Sequence, residues 1–476
     1  MGQAQETETE DHLYQKRIPI FVRSVRGKFR SFKTGVLVLA YAVYFALPWV
    51  PWHRASAADQ AILFDLVSRK FFIFNLVVFP QDIIWLAMLL FIAATFLFFA
   101  TGLIGRAWCG FFCFQTLWTD MFMLVEHMIQ GERPARMRLY KQPWNAEKIL
   151  KIGSSHLLML LIACWTGFTF AAYYTYAPEL LHDLFTGEAN RAAYVTIAVL
   201  TATTYVAGAL AREQICTFIC PYARFQGVMY EPDTLVISYD TRRGEGTAGR
   251  ALPKADLKTR EERQAQGHGD CIDCGFCVQV CPVGIDIRNG LQYQCISCAL
   301  CIDACNNIMD SVGYPRGLIR YDSERNMESE NPHPPRLAWR RLKVLGYAVA
   351  LSLMVGLLIY NIGTRKDTEV RIEQVRQPLF VRLENGAVRD RYQVHIVNKT
   401  EQEVTYLLTV RGIPESALDL GAVTELRVRP GKALKFNVKI DLPPEIARDT
   451  HEFEFVVTPQ IDGAEPVARK ASFVGD

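Results

Sequence analysis

Cys271–Cys305 reads CIDCGFCVQVCPVGIDIRNGLQYQCISCALCIDAC, and eight of the chain's thirteen cysteines lie in it. Cys271, Cys274, Cys277 and Cys281 are spaced C-x2-C-x2-C-x3-C, with Pro282 next. Cys295, Cys298, Cys301 and Cys305 repeat the spacing, with Asn306 in the proline's place. The short steps wrap the backbone around a cube of iron and sulfur, so three thiolates meet three corners. The fourth lies too far along to close the same cube and reaches the other one. The spacing therefore predicts two [4Fe–4S] clusters with crossed ligands. Cys271, Cys274, Cys277 and Cys305 hold one, and Cys295, Cys298, Cys301 and Cys281 hold the other. Zinc ribbons and disulfides account for the run less well, because zinc sites take four ligands, typically as two separated pairs.

Outward from this run, the composition is that of a membrane protein. Half of the 476 residues are hydrophobic, and the mean hydropathy is positive. Apolar runs at Thr34–Trp52, Asp82–Leu103, Leu157–Tyr176, Tyr194–Leu210 and Val344–Ile362 are near the length that crosses a bilayer. The fold class expected is a membrane α-helical bundle of about five transmembrane helices. Into it is inserted a cytoplasmic two-cluster ferredoxin domain, and an all-β immunoglobulin-like domain ends the chain.

The net charge of +3 matters less than where the basic residues fall. They gather before the first span, between the second and third, and around the ferredoxin run. By the positive-inside rule the N-terminus and clusters are cytoplasmic. Such flanking charge orients a membrane protein and does not point to nucleic acid. Five spans then put the tail in the periplasm of a bacterial inner membrane, with lipid around the bundle.

The organisation expected is a polar and basic segment at 1–33, four spans at 34–212, the cluster region at 213–343, a fifth span at 344–362 and a β domain at 366–476. Residues 1–14 are acidic and polar, the composition of a disordered segment. Arg69–Phe79 is apolar but too short to span, and reads as a strand or interfacial segment. In the tail, RYQVHIVNKT, EVTYLLTVRG, LRVRPGKALKFNVKI and HEFEFVVTPQ alternate as strands broken by turn residues, the pattern of a sandwich. Asn398-Lys399-Thr400 is read as a turn, and His395 and His451 as structural.

A second cysteine set lies at the ends of two spans. Cys109 and Cys113 form C-x3-C in GRAWCGFFCFQTLW, and Cys216 and Cys220 form C-x3-C in REQICTFICPYARFQ. Each pair follows an arginine, Arg106 or Arg212, at one membrane face, which suggests an internal repeat. On a helix, positions i and i+4 share a face, an arrangement suited to a soft metal or to thiol redox chemistry. The competing reading is buried cysteines packing as small hydrophobes, and Cys164 is expected to do just that. Met121, Met123, Met128, Met229, His127 and His156 lie nearby, but none is taken as a ligand.

With these motifs in hand, the chain resembles the cytochrome c oxidase accessory proteins CcoG, FixG and RdxA. The cluster run and the following GYPRGLIRYDSE (Gly313–Glu324) carry the likeness most specifically. One departure is Phe114 after Cys113, where the family pattern has proline, and this implies a looser turn there. The resemblance implies an oxidoreductase that assists assembly of cbb-type oxidases. A cytoplasmic electron donor would reduce the clusters, and copper would be the substrate, reduced from Cu(II) to Cu(I). Cys109, Cys113, Cys216 and Cys220 would be the catalytic and metal-binding residues. Copper carriers or assembly factors would be partners, with oxidase subunits meeting the β domain. Two other readings stay open: a quinol-linked electron-transfer subunit, and a non-enzymatic assembly scaffold or redox sensor.

Overall fold

Ile83–Ile104 presents Leu, Ile, Phe and Ala on every side, and an all-round apolar helix has lipid or protein for surroundings. A computed structural model of the protein describes residues 19–53, 58–252, 259–384, 386–400, 402–421, 425–448, 451–461 and 463–474. The acidic start, residues 1–14, lies outside them. Among the described residues five helices are long and apolar enough to cross a membrane: Lys28–Trp49, Ile83–Ile104, Ala146–Ala172, Arg191–Ala211 and Leu342–Gly363. The 22 residues of Ile83–Ile104, at 1.5 Å each, reach about 33 Å, close to the hydrocarbon thickness of a bilayer.

In chain order the elements are α1 (Lys28–Ala46), β1 (Ile62–Asp65), β2 (Lys70–Ile73), β3 (Leu76–Val78), α2 (Ile83–Ile104), α3 (Ala107–Phe111), α4 (Phe114–Gln130), α5 (Arg133–Lys141), α6 (Ala146–Ala172), α7 (Ala177–Thr186), α8 (Arg191–Tyr205) and α9 (Pro221–Met229). Two span ends differ from the apolar pattern. The first helix ends at Ala46 and gives way to a short 3-10 turn containing Pro48, because proline supplies no N–H to continue the ladder. The third begins at Ala146, well before its apolar run, with Glu147 and Lys151 pairing across one exposed turn.

The chain divides into two units. The first comprises Met1–Ala46, Ile92–Ala171 and Thr186–Ser352. In it, Phe122 and Val125 of α4 pack on Met159 and Ala163 of α6 and on Ala209. Buried Glu126 on α4 accepts from both Arg136 and Arg212. Burial works against its charge, but the hydrogen bonds and charges of Arg212 and Arg136 hold its carboxyl below the usual carboxylate range. The cluster region is closed by β4 (Val236–Tyr239) and β5 (Ile319–Asp322), which pair antiparallel from Val236↔Asp322 to Tyr239↔Ile319. Ile237, Ile272, Ile287, Ile302 and Leu318 form its core.

The second unit comprises Leu47–Phe91, Ala172–Phe185 and Leu353–Asp476. Arg69–Phe79 folds here as strands, with β1, β2 and β3 forming an antiparallel meander. The tail carries β6 (Thr368–Gln374), β7 (Val381–Arg382), β8 (Val388–Asn398), β9 (Val404–Arg411), β10 (Leu418–Asp419), β11 (Leu426–Val428), β12 (Ala433–Leu442), β13 (Glu452–Pro459) and β14 (Val467–Ser472). They form two sheets, β10-β12-β8-β6 with β7 also on β8, and β11-β9-β13-β14. The period-2 alternation of β8 turns Tyr392, Val394 and Ile396 into a core shared with Leu408, Val438 and Phe455. Asn398 closes a turn: its side chain accepts from the Thr400 N–H and donates to the Gln402 and Val428 carbonyls. Lys399 and Arg365 pair with buried Asp82, and Lys70 donates to the Pro430 carbonyl. These contacts tie the meander's end to the sandwich.

Candidate functional site

The two cysteine runs fold alike. In each, the residue before the second cysteine and the residue after it take positive φ: Asp273 (50°) and Gly275 (65°), then Ser297 (53°) and Ala299 (61°). Two left-handed residues in three turn the chain sharply back on itself. That curl brings three thiols spaced x2 apart to face one point. Gly275 and Ala299 then cap the helices Phe276–Gln279 and Leu300–Ser311, and these carry the third cysteines.

The fourth cysteines sit away from their own runs. Cys281 is pressed first by burial and then by the thiols of Cys298 and Cys295. Cys305 is pressed by burial and by Cys277, Cys271 and Cys274. One cavity is lined by Cys271, Cys274, Cys277 and Cys305. A second is lined by Cys281, Cys295, Cys298 and Cys301, together with Cys277. Among the described residues no three His, Cys, Asp or Glu side chains converge at the spacing of a single ion. The eight sulfurs are divided between these two small cavities, four to each. Burial pushes Cys277, Cys281 and Cys305 up to about 12 and Cys295 to about 11. So many buried thiolates require a cationic core, and iron supplies it. The donor set, four thiols at each of two cavities, fits two [4Fe–4S] groups.

Tyr239 adds a second sign of fit, one that the cysteine spacing does not announce. It is 6% exposed, it lines the Cys271 cavity, and its buried hydroxyl has no hydrogen-bond partner in the protein. Burial, and then the neighbouring Cys271 thiol, push this phenol up. A donor aimed at cluster sulfur stabilises the more negative, reduced state and raises the potential. Tyr239→Phe is therefore expected to keep full iron content while lowering that cluster's midpoint potential by tens of millivolts, the scale of one weak hydrogen bond. A redox titration followed by EPR reads this, and an unchanged midpoint would remove the hydroxyl from the cluster's surroundings.

The second cysteine set is not on continuous helices, contrary to the i, i+4 expectation. Cys109 lies in α3, and Cys113 is extended (φ −64°, ψ 129°) at the start of α4. Cys216 lies in a π-helical turn, Ile215–Ile219, and Cys220 is extended (φ −71°, ψ 111°) at the start of α9. The backbone is alike at Cys113 and Cys220, so Phe114 makes the same turn as Pro221 and the expected loosening is absent. Within the first short helix, Gly110 makes a close tertiary contact. A Cβ there would lie 2.7 Å from the Ile296 carbonyl and 2.8 Å from Cys298 Cα, so only glycine permits the approach.

The helix after each turn packs on the other repeat. Gln115 of α4 donates to the carbonyls of Ala207 and Arg212 at the end of the α8 span. Gln226 of α9 donates to Thr101 of α2, and its Oε1 accepts from Cys109 Sγ at 3.2 Å. This exchange brings the two pairs within reach of one another's charge, and as they stand they are not drawn in to the spacing of a single ion. Burial first, then Cys113 and more weakly Cys216 and Cys220, push Cys109 up to about 12, with Arg106 opposing. Burial, Cys113 and Cys220 push Cys216 to about 11. Cys109 and Cys216 both pack on the core of Val280, Ile296, Cys298, Leu300 and Ala304. Arg106 is buried beside them: it donates to the Tyr293 carbonyl, and two of its three nitrogens lack partners.

Gln226 and Tyr239 escaped sequence reasoning. Nothing in local pattern marks a buried glutamine on α9 as the partner of a cysteine on α3. Cys164 is exposed on α6 instead of packed inside. His127 bonds the Val22 carbonyl at 3.0 Å and His156 bonds Tyr205 at 2.9 Å.

A family model of a 4Fe-4S dicluster domain matches residues 211–324. Another, described as the IG-like fold at the C-terminal of FixG, matches residues 358–476. Protein RdxB of Cereibacter sphaeroides is 44% identical over 414 residues, covering 86% of this chain and 85% of that protein. The nitrogen fixation protein FixG of Rhizobium meliloti is 38% identical over 466 residues, 90% of this chain and 88% of that one. Protein RdxA of Cereibacter sphaeroides is 40% identical over 413 residues, 84% of each. The matches take in the clusters, the spans and the sandwich alike, and the chain belongs to the FixG, RdxA and RdxB family of iron–sulfur proteins.

Proposed function

We propose that this membrane iron–sulfur protein reduces Cu(II) to Cu(I) at Cys109, Cys113, Cys216 and Cys220, with electrons drawn from a cytoplasmic donor. The observation that carries the reading is the contact at Gly110: the Cys109 helix lies directly on the backbone of Cys298, a cluster cysteine. When bound, the two clusters store single electrons and supply them one at a time. Cys271, Cys274, Cys277 and Cys305 hold one group, and Cys281, Cys295, Cys298 and Cys301 hold the other.

At the quartet, thiolates bind copper and favour the cuprous state, so the same side chains that capture Cu(II) stabilise its product. The reduction adds one electron to one ion and moves no bond. Buried Arg106 offsets the negative charge of the thiolates in a setting where water cannot. Gln226 holds the Cys109 sulfur in place. Copper carriers or oxidase assembly factors would take the Cu(I), and the sandwich is the surface for subunits of a cbb-type oxidase. Reduced protein freed of excess reductant is expected to bleach no further alone, and to reoxidise on adding Cu(II) with equal yield of chelatable Cu(I). Clusters that stay reduced with Cu(II) present would overturn the reading.

The proposed orientation follows the basic residues, with N-terminus and clusters in the cytoplasm and the sandwich in the periplasm. Reporter fusions at residue 240 and at the C-terminus are expected to report opposite compartments. One compartment for both would mean that Leu342–Gly363 does not cross.

A further inference from the structure

β4 is a wall one strand thick. Its Ile237 lines the cavity of Cys281, Cys295, Cys298 and Cys301, and its Tyr239 lines the cavity of Cys271, Cys274, Cys277 and Cys305. On the other side Val236 and Ser238 face a third cavity, of about 470 Å³, open to the surface. Alternate residues of a strand point to opposite faces, so a single strand separates this cavity from both cluster sites. Its volume is that of a small-ligand pocket.

The lining indicates what fits. Tyr230, Val236, Leu291 and Met327 give apolar and aromatic surface for a flat ring. Arg242 is the one basic side chain among the described lining residues. Its guanidinium is spent on the carbonyls of Ser329 (2.7 Å) and Met327 (2.5 Å). Four carboxylates also line the cavity: Glu231, Asp240, Glu324 and Glu328. Glu231 is paired with Arg341 and Lys343, and Asp240 with Arg320. Glu324 and Glu328 are exposed. A site with its cation already engaged and carboxylates on its walls repels phosphate, which argues against a nicotinamide dinucleotide.

We propose that this cavity is the electron-entry site, and that it takes an uncharged, planar hydrogen donor: a hydroquinone or dihydroflavin ring. The inference rests on the electron-transfer reading above, without depending on copper. The ring gives up two electrons and two protons and leaves as the quinone or the oxidised flavin. One electron goes to each cluster, so the pair together accepts what a two-electron donor releases. The protons go to the carboxylates of Glu324 and Glu328 and on to water.

The test uses the full-length, cluster-loaded protein under anaerobic conditions without copper. Two probes are compared, reduced riboflavin and menadiol, with cluster bleaching as the kinetic readout. Binding of oxidised riboflavin, read by quenching of its fluorescence, is measured separately and needs no turnover. Ser238→Trp fills the cavity from β4, and Leu291→Trp, at a position 51% exposed, crowds it from the loop between the cysteine runs. Leu291 carries no core packing, so this second variant folds even if the first does not. Both variants are expected to slow bleaching by at least about tenfold, the factor for roughly 1.4 kcal/mol of lost binding, while dithionite still reduces the same amount of cluster. Slowing with riboflavin and loss of quenching assigns a flavin ring, and slowing with menadiol alone assigns a hydroquinone. Wild-type bleaching by both probes in both variants would overturn the proposal. Because copper is absent throughout, that result is distinct from a failure of cupric reduction at the cysteine quartet.

Discussion

Replacing Cys109 and Cys113 together by serine is expected to abolish the proposed reduction of Cu(II) and to leave the iron of both clusters in place. The quartet and the clusters are separate sets of sulfurs that meet through backbone, at Gly110 and Cys298. Removing thiols from one should not unseat the other. Serine keeps nearly the volume of cysteine and can still donate to Gln226, so the packing around α3 loses little. What it loses is affinity for a soft ion, because a hydroxyl is a far poorer ligand for Cu(I) than a thiolate. The rate should fall by more than about a hundredfold, equivalent to roughly 2.7 kcal/mol of transition-state stabilisation. Cys216→Ser with Cys220→Ser should do the same, since the proposed site takes one pair from each repeat. Copper turnover is measured with iron content on the same samples. A wild-type rate would make the pairs structural, and loss of iron by one cluster's worth would make them ligands of a third cluster.

The other large effect is expected at Cys281. Although it ends the first run, Cys281 lines the cavity of Cys295, Cys298 and Cys301. Cys281→Ser should therefore destroy or alter the cluster held by Cys295, Cys298 and Cys301, and spare the one held by Cys271, Cys274 and Cys277. The mirror variant, Cys305→Ser, should do the opposite. EPR of the reduced proteins separates the two centres, and iron analysis should show up to half the iron lost in each variant. If Cys281→Ser changed only the signal of the first run's cluster, the crossed arrangement would be wrong.

Much of this was legible in the sequence because it is local. The cysteine run carries its geometry in its spacing, and the repeated left-handed pairs at Asp273/Gly275 and Ser297/Ala299 show why that spacing suffices. Ile83–Ile104 declares itself by composition. The strands of the tail alternate because one face of each is buried. What the sequence hid is set by long-range contact. The chain breaks between Cys109 and Cys113 where the short helix ends and α4 begins, and Gly110 meets Cys298, a residue far along the chain, neither of which helical periodicity announces. Cys164 was misplaced for a related reason: an apolar span has lipid-facing positions as well as buried ones, and composition does not separate them. The cavity behind β4 exists only because β4 pairs with β5 across the whole cluster region.

The exchange of closing helices between the two repeats bears on the timing of synthesis. Neither repeat finishes its own cysteine turn: Gln115 reaches carbonyls at Ala207 and Arg212, and Cys109 waits for Gln226. A chain made from its N-terminus exposes the first pair of thiols long before their partners have left the ribosome. The quartet can close only after residue 226 has emerged, and the cluster ligands, starting at Cys271, come later still. Nascent chains thus pass through a stage with two open thiols and no acceptor for them, and a chain cut short before α9 stays there. In the interval between the two repeats the first pair of thiols stands open to stray metal and oxidant.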